Sequence, residues 1–278
     1  MEVSLIVSTY NQPAYLALVL WSYAVQTRRG FEVVVADDGS TADTREMLRA
    51  LRKETGLRIV HVWQPDNGFQ KCEILNRAIV AARGDYLIFT DGDTLASPEL
   101  VSTHLGLARR DRFIAGGHMP LPRHLSLAIT CDDVVAGRVT RLSWLVRNGY
   151  RPNYRFLRLA APRALRPLLD EYTGGRMRWR GNNASVFREH AIAVNGFDMR
   201  LGHGNEDAEF GDRLSNLGLA GCSVRFRAPA VHLSHPRPYR DRKGRDANLA
   251  YRREVQRMRI VRTPVGITEL NAAGTVEV

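Results

Sequence analysis

Two short acidic stretches, far apart in the chain, contain the side chains best suited to chemistry. Asp91 and Asp93 follow the apolar run 86–90, which is typical of a buried parallel strand. Carboxylates there do not help folding, but hard oxygen ligands suit Mg²⁺ or Mn²⁺ held against a diphosphate. Glu206 and Asp207 form the second stretch, and one of them could take a proton from an alcohol. Together the two stretches fit the movement of a sugar from a nucleotide to a hydroxyl group.

Composition narrows the classes of protein to consider. The chain has 278 residues, three scattered cysteines and a formal net charge of +11. This length allows one large domain, or a domain with an extension. The cysteines indicate reduced thiols in a reducing compartment, without a disulfide framework or zinc site. No apolar run approaches the roughly 20 residues of a membrane span. A strand pattern starts at Val3, so we expect no secretory signal and a cytoplasmic protein. The positive charge favours anionic partners.

Strand and helix patterns alternate through the first half of the chain. We expect strands at 3–8, 31–36, 57–63 and 86–90, and helices at 13–26, 41–55, 69–82 and from after 98 to about 110. Such alternation predicts a parallel sheet with helices on both faces. Ligands of these sheets bind outside the carboxyl ends of the strands, where the acidic residues of this half would lie.

The patterns of the second half are weaker. Residues 118–180 are rich in Arg, and we expect helices at 128–136 and 138–147, followed by irregular basic chain. Further on we expect a strand at 183–187, helices at 188–194 and 207–217, a strand at 222–226 and a basic helical tail at 246–262.

The ends of the first two strands resemble the start of the family 2 glycosyltransferases. Ser8-Thr9-Tyr10-Asn11 follows the first strand, and Asp37-Asp38-Gly39-Ser40 follows the second. Each could be an ordinary turn, but together they offer an aromatic face and acceptors for a base and a ribose. The resemblance implies that Tyr10 packs near the base and that Asp38 accepts from the base N–H of a uridine-type nucleotide. The residues expected to bind the nucleotide are Ser8, Tyr10, Asn11, Asp37, Asp38 and Asp91.

Asp91-Gly92-Asp93 resembles the family's Asp-x-Asp element. The resemblance implies that Asp93 binds the metal ion, Mn²⁺ or Mg²⁺, and that Asp91 lies against the ribose or a metal-bound water. A cation there would neutralise charge on the departing diphosphate. His232 and His235 are rival candidates for the family's third metal ligand, and His235-Pro236-Arg237 is the closer match to the galactosyltransferase pattern.

The stretch Gly202-His203-Gly204-Asn205-Glu206-Asp207 resembles a run found in beta-galactosyltransferases and glycan polymerases. His203 stands where those proteins have Trp, and Asn205 where they have Gly. The resemblance implies that Asp207 is the catalytic base and that Glu206 contacts the acceptor. The same pair could simply be favoured at a helix start, where backbone N–H groups would keep both carboxylates ionised. Glu209 is expected to be structural. Lys71 could face the diphosphate, but we expect it to lie at the surface.

These resemblances imply an α/β fold of the glycosyltransferase A type, a Rossmann-like nucleotide-binding sheet with an acceptor-binding C-terminal half. We divide the chain into a nucleotide-sugar half (1–112), an acceptor-binding and catalytic half (113–240) and a basic extension (241–278). The expected activity is inverting, metal-dependent transfer from a nucleotide sugar, with UDP as the expected nucleotide, to a hydroxyl of a glycan or glycolipid.

Two alternatives concern the positive charge. A nucleic-acid-binding or nucleotidyl-transfer protein could use Asp91 and Asp93 to bind Mg²⁺. The sequence lacks a P-loop and lacks the aromatic residues that alternate with basic ones in proteins that bind single strands. We therefore expect no nucleic-acid partner. The basic middle segment could instead hold the enzyme at the inner face of an anionic membrane. The residues considered for this contact are Arg138, Arg141, Arg147, Arg151, Arg155 and Arg158, with Trp144, Tyr150, Tyr154 and Phe156 among them.

Overall fold

The chain folds around a mixed β-sheet. The computed structural model describes residues 1–151, 153–174, 177–236, 242–270 and 275–277. The strands are β1 (Val3–Thr9), β2 (Glu32–Asp37), β3 (Arg58–Trp63), β4 (Tyr86–Asp91), β5 (Thr94–Ala96), β6 (Arg112–Ala115), β7 (His118–Pro120), β8 (Ala184–Phe187), β9 (Ala220–Ser223), β10 (Ala230–His232) and β11 (Thr275–Glu277).

Helices cover the sheet and connect its strands. The α-helices are α1 (Pro13–Ala24), α2 (Ala42–Thr55), α3 (Lys71–Ala81), α4 (Leu100–Leu107), α5 (Arg123–Ala128), α6 (Cys131–Val135), α7 (Leu142–Arg147), α8 (Leu157–Ala160), α9 (Arg166–Gly174), α10 (Arg188–Ala193), α11 (Glu206–Asn216) and α12 (Arg242–Arg257). Single 3₁₀ turns lie at Arg138–Thr140, Tyr154–Phe156, Arg163–Leu165 and Ile267–Glu269. None of these helices is long and apolar enough to cross a membrane.

The main sheet has eight strands in the order β11-β3-β2-β1-β4-β8-β6-β9. Strands β1 to β4 are parallel neighbours, as predicted. The whole sheet is nevertheless mixed, because β8 runs antiparallel to both β4 and β6 and β11 runs antiparallel to β3. The residue pattern of a buried strand identifies the strand but not its direction.

The core fills both faces of the main sheet. One cluster lies under α1 and α2 and includes Leu5, Val7 and Leu20, all fully buried. The second lies under α3 and α11 and includes Ile6 and Phe89. Successive residues of β1 therefore face opposite clusters, as the alternation of a two-sided strand requires.

A second, three-stranded sheet in the order β5-β10-β7 lies beside the carboxyl end of β4. Its central strand pairs His232 with Thr94 on one side and with Pro120 on the other. The N–H of Leu233 also donates to the carbonyl of Asp93 at 2.8 Å. This small sheet joins the first acidic stretch to the histidines, although its strands are too short for their patterns to be recognised.

The basic middle segment is more ordered than predicted. The helix expected at 128–136 is the shorter α6, and α5 precedes it. Thr130 caps α6 by accepting from the N–H of Asp133. The helix expected at 138–147 begins as a 3₁₀ turn before α7. The chain expected to be irregular after 147 contains α8 and α9. Short segments with few apolar residues depend on tertiary packing, which a local pattern does not contain.

Two further boundaries differ from expectation. The strand predicted at 222–226 is β9, which ends at Ser223 before a turn, and the tail helix predicted at 246–262 is α12, which ends at Arg257. The predicted boundary at residue 112 coincides with the start of β6, a strand of the main sheet. The main sheet therefore continues across that boundary, and β11 from the predicted extension pairs with β3.

Candidate active site

A cavity of about 680 Å³ opens beyond the carboxyl ends of β1 and β4. Residues from β1, β4, α3, α11 and the chain after β10 line this cavity. All of the predicted site residues contribute to the lining except Asp37: they are Ser8, Tyr10, Asn11, Asp38, Asp91, Asp93, Glu206, Asp207, His232 and His235. The fold thus brings together two acidic stretches and a histidine pair that are far apart in the sequence.

Asp37 is the predicted site residue that lies outside the cavity. Its side chain is fully buried below the sheet end. One oxygen lies 2.9 Å from Nε2 of His61, and the other accepts from the N–H of Ser40 at 2.9 Å. These bonds fix the turn after β2, so the expectation that Asp37 contacts the nucleotide is corrected to a structural position.

Asp38, the next residue, faces the cavity from a buried position. Its Oδ2 accepts from the N–H of Gln70 at 2.9 Å, and its Oδ1 accepts from Nε2 of Gln64 at 2.7 Å. Burial raises its pKa to about 6, although both bonds oppose that rise. A carboxylate has lone pairs for more than two donors, so these bonds leave capacity for a ligand N–H.

Tyr10 and Asn11 form the rim of the cavity next to Asp38. Tyr10 is 43% exposed, and its hydroxyl donates to Asp66 at 2.8 Å. Asn11 has a left-handed backbone (φ 48°), and its side-chain oxygen accepts from the N–H of Thr41 at 2.9 Å. The rim therefore presents an aromatic ring whose orientation is fixed by a hydrogen bond.

Asp93, His232 and His235 form one cluster whose ligand atoms lie within 4.8 Å of one another. Nε2 of His235 lies 2.7 Å from Asp93 Oδ2, and Nε2 of His232 lies 3.4 Å from the same oxygen. The two imidazole rings are nearly parallel, with centroids 5.7 Å apart. The sequence left these histidines as rivals, and the fold brings both to Asp93. Arg237, from the pattern around His235, lies outside the described residues.

His118 extends the histidine cluster on the other side. Its ring centroid is 5.0 Å from that of His232, and its Nδ1 lies 2.6 Å from Nδ2 of Asn182. His118 and Asn182 both line the cavity. His118 could not be identified from the sequence, because a single histidine in a three-residue strand has no recognisable pattern.

Lys71 is a cavity residue, which corrects the expectation that it lies at the surface. Its Nζ lies 2.8 Å from Asp91 Oδ1, which also accepts from the Ser8 hydroxyl at 2.8 Å. Burial would raise the pKa of Asp91, but these partners, led by the Lys71 ammonium, lower it to about 2. Burial would likewise lower the pKa of Lys71, but the negative charges of Asp91, Asp207 and Glu206 raise it well above its usual value.

Asp207 lies in the first turn of α11 and has one oxygen shielded from solvent. Its Oδ2 accepts from the N–H of Gly181 at 3.2 Å. Its Oδ1 has no hydrogen-bond partner within the described residues. Burial raises the pKa of Asp207 to about 7, while Lys71 opposes that rise. The helix start therefore does not keep this carboxyl strongly acidic, contrary to expectation, because burial outweighs the backbone N–H.

Glu206 precedes Asp207 and is buried against the loop before α11. Its Oε2 accepts from the N–H of Gly204 at 2.6 Å, and burial raises its pKa. Asn205 adopts a left-handed backbone with φ 70°. Asn tolerates this conformation better than most non-glycine residues, which explains how it can stand where related proteins have Gly.

Two neighbours of the acidic pair have different surroundings. His203 lines the cavity, with its ring edge-on to Phe69 at 5.4 Å between centroids. Glu209 is fully buried and forms two hydrogen bonds with Arg213, at 2.6 and 2.9 Å. The prediction that Glu209 is structural agrees with this geometry.

Gly181 is a further residue of the site and lies directly beside Asp207. A Cβ at this position would lie 2.6 Å from Asp207 Oδ1, closer than side chains tolerate. A larger residue at this position would displace the Asp207 carboxylate from the place it occupies beside the Gly181 N–H.

Comparison with known proteins agrees with the geometry. The sequence model of the family described as "Glycosyl transferase family 2" matches residues 4–123. Glycosyltransferase YfnE of Bacillus subtilis, which is uncharacterized, is 29% identical over 276 residues, covering 90% of this chain and 69% of that protein. Chondroitin synthase of Escherichia coli is 29% identical over 255 residues, covering 84% of this chain. The chain spans only 35% to 52% of the length of that synthase and two other curated relatives.

A solved structure extends the likeness to the fold. The crystal structure of S. aureus TarS 1–349 in complex with UDP superposes with a TM-score of 0.60 and 16% identity, covering 96% of this chain and 68% of that one. The architecture is therefore that of the glycosyltransferase A fold, as the sequence predicted.

Proposed function

Residues 4–123 of the chain belong to glycosyl transferase family 2, and on this premise we propose that the protein transfers a sugar from a nucleotide sugar to a hydroxyl group of an acceptor. The single observation that carries the proposal is the pairing, in one cavity, of a metal-ligand cluster with a carboxyl group whose pKa is raised to about 7. The metal-ligand cluster can stabilise the leaving group, and the carboxyl group can deprotonate the nucleophile.

Asp93, His232 and His235 would hold a divalent cation. One carboxylate oxygen and two imidazole nitrogens already converge within 4.8 Å, so the donor set fits a cation without a change of fold. Mg²⁺ prefers oxygen ligands only, whereas imidazole suits transition metals, and we therefore favour Mn²⁺ over Mg²⁺. When bound, the cation would supply charge stabilisation for the departing diphosphate.

UDP is the nucleotide that we propose for the donor. The rim ring of Tyr10 offers a face for the base, and the buried Asp38 carboxylate can accept an N–H from it. Ser8 and Asn11, from the same turn as Tyr10, line the same cavity. The likeness to TarS, whose structure contains UDP, supports this choice.

Asp207 would act as the base for the acceptor hydroxyl. A base works best when its pKa lies near the operating pH, and burial brings that of Asp207 to about 7. Its Oδ2 is bound to the N–H of Gly181, which leaves the shielded Oδ1 to accept the hydroxyl proton. As the proton moves to Oδ1, the acceptor oxygen attacks the anomeric carbon and the bond to the diphosphate oxygen breaks. One base and one displacement imply inversion at that carbon.

Glu206 and His203 would contact the acceptor. Both line the cavity next to Asp207, and both come from the loop that leads into α11. A glycan acceptor is supported by the similarity to chondroitin synthase. Lys71 would balance the surrounding acids, since its ammonium lies among Asp91, Glu206 and Asp207.

Nucleotidyl transfer is the weaker alternative. It would need Asp91 and Asp93 to share metal ions, but Asp91 is already held by Lys71 and Ser8. No observation on this cavity favours it over sugar transfer.

The test is a panel of nucleotide sugars, offered with Mn²⁺ and assayed for release of the nucleoside diphosphate with and without glycan acceptors. We expect slow donor hydrolysis with one UDP-sugar and faster release when a suitable acceptor is present. Analysis of the product linkage by NMR should show the anomeric configuration inverted. Release of a nucleoside monophosphate or of pyrophosphate, or retention of configuration, would contradict the proposal.

A further inference from the structure

Five arginines gather beside the cavity, on segments that are distant in sequence. We call Arg155, Arg158, Arg178, Arg180 and Arg225 the arginine cluster. None of the five is fully buried, and Arg178 and Arg180 are exposed. Arg178, Arg180 and Arg225 were not among the arginines considered for membrane binding, because only the fold brings them to Arg155 and Arg158.

His118 connects two parts of the arginine cluster. Nη1 of Arg158 donates to the backbone carbonyl of His118, and Asn182 contacts the ring of the same histidine. Arg180 lies two residues before Asn182. Arg158 and Arg180 therefore approach His118 from two different segments.

The remaining members come from the chain around β9. Met177, next to Arg178, packs closely against Gly221 in β9. A Cβ added at residue 221 would lie 2.8 Å from the Cβ of Met177. Arg225 follows β9, and its Nη1 donates to the carbonyl of Thr173 at 3.1 Å. Segment 177–180 and the turn after β9 therefore run side by side.

Within the described part of the chain, the arginine cluster has no acidic partner. Across the residues that the structure describes, none of its five members forms an ion pair, whereas Arg138 pairs with Asp133 and Arg227 pairs with Asp170. Burial, together with repulsion from the neighbouring guanidinium groups, lowers the pKa of Arg158 to about 10 and also lowers that of Arg180. Like charges held together without a counter-charge are unfavourable unless an anion binds.

The arginine cluster adjoins the acceptor side of the cavity. Arg180 directly precedes Gly181, whose N–H donates to the proposed base Asp207. The backbone that carries Arg180 therefore continues directly into the contact with the proposed base.

We propose that the arginine cluster is a subsite for a phosphate group carried by the acceptor. The proposal rests on the proposed function, since the bound phosphate is assigned to the acceptor. Guanidinium groups present paired N–H donors that match two phosphate oxygens. A phosphate monoester carries nearly two negative charges at neutral pH, which balances several arginines better than one carboxylate does. The exposed ring of Tyr154, next to Arg155, offers a flat surface for the sugar that bears the phosphate.

Direct membrane binding by the basic segment is less well supported. Tyr150 is buried, and Trp144 and Phe156 pack against the core, so three of its four aromatics are engaged within the fold. A lipid phosphate remains one possible source of the acceptor's phosphate, which the experiment separates from a soluble source.

The test measures binding of inorganic pyrophosphate by calorimetry, in EDTA and at low salt, so that no metal ion binds it at Asp93. The variant is Arg178→Gln/Arg180→Gln, because both side chains are exposed. The matched control is Arg141→Gln/Arg147→Gln, two exposed arginines of the basic segment outside the cluster. We expect the cluster variant to bind at least about tenfold more weakly, as loss of charge-assisted hydrogen bonds predicts, and the control to bind like the parent protein.

Equal weakening in both variants, or no binding by the parent protein, would overturn the proposal. The Asp207→Asn variant should still bind pyrophosphate, so a failure of the proposed function leaves this result unaffected and can be recognised separately. Vesicles of phosphatidylcholine with phosphatidic acid provide the second arm. Vesicle binding that the cluster variant loses would assign the phosphate to a lipid-linked acceptor, and pyrophosphate binding without vesicle binding would assign it to a soluble glycan.

Discussion

Lys71 and Asp91 form an ion pair inside the cavity, with Nζ 2.8 Å from Oδ1. This contact places one positive charge among three carboxyl groups, because Asp207 and Glu206 also act on Lys71. The lysine therefore links the first acidic stretch of the sequence to the second. It allows one carboxyl to be strongly acidic while another, Asp207, has a pKa near neutrality.

Asp207→Asn should reduce turnover by about 10² to 10⁴, because the amide cannot accept the hydroxyl proton as a base. In the parent protein, turnover should fall as pH decreases through about 7, since Asp207 is then protonated. The measurement is a pH–rate profile of kcat with saturating donor and Mn²⁺. Near-normal turnover in the variant would exclude Asp207 as the base.

The same substitution should also stabilise the fold at alkaline pH. A carboxyl whose pKa is raised on folding, here to about 7, is unfavourable in its ionised form. Its contribution to stability is present below the unfolded pKa near 4 and is lost as pH rises through about 7. Thermal melts should therefore show Asp207→Asn more stable than the parent at pH 8, with the difference vanishing at pH 4. A variant less stable at pH 8 would contradict this interpretation.

Lys71→Met should shift the acid limb of the pH–rate profile to higher pH. The ammonium lowers the pKa of Asp207, so its loss lets that pKa rise further. Lys71→Arg should restore part of the shift, because it keeps the charge. The control is Lys53→Met on α2, far from the cavity lining, which should leave the profile unchanged. A loss of kcat in Lys71→Met without a change in the profile would assign Lys71 a structural role only.

Loss of any one metal ligand should weaken Mn²⁺-dependent UDP binding. The variants are Asp93→Asn, His232→Ala and His235→Ala, and all three should lose turnover because their ligand atoms converge on one point. The measurement is the rise in melting temperature on adding Mn²⁺ and UDP, since a ligand stabilises the state that binds it. If EDTA leaves transfer unchanged, the metal proposal is wrong.

Gly181→Ala should lower turnover while leaving UDP binding intact. The added Cβ would lie 2.6 Å from Asp207 Oδ1, so the carboxylate must move. Gly202→Ala is the control, because a Cβ there meets no atom within 4 Å. Equal turnover in the two alanine variants would show that the close approach of Gly181 is not needed.

The buried pair Glu209–Arg213 should matter for stability. Both side chains are fully buried, and removal of one partner leaves an uncompensated charge, which costs about 3–5 kcal/mol. Arg213→Met should lower the free energy of unfolding in urea by about that amount. Arg163→Met breaks an exposed pair with Glu99 and should cost less than about 1 kcal/mol.

The sequence predicted the parts of the site that sit at strand ends. Asp91 and Asp93 follow a run that is apolar enough to be recognised as a buried strand, so the direction of their side chains toward the sheet edge could be inferred. Lys71 could not be placed in the same way. It starts a helix, and only the packing of α3 against β1 and β2 shows that the lysine faces inward.

Three-residue strands and single turns limited the remaining predictions. His232 and His235 stayed rivals because the sequence does not show that β10 pairs with β5. This pairing brings His232, the last residue of β10, and the following His235 to Asp93. The arginine cluster likewise depends on contacts between segments that are far apart. No local pattern relates Arg158 to Arg180.

The position of β8 has a consequence for how the chain must be produced. This strand lies between β4 and β6, although nearly seventy residues separate it from β6 in the chain. A fragment ending near residue 123 would expose the long edges of β4 and β6, and unpaired edges of this kind promote aggregation. During synthesis the first half must wait for residues 184–187 before its sheet can close, which favours slow folding through non-local contacts. Expression trials should therefore use the full chain.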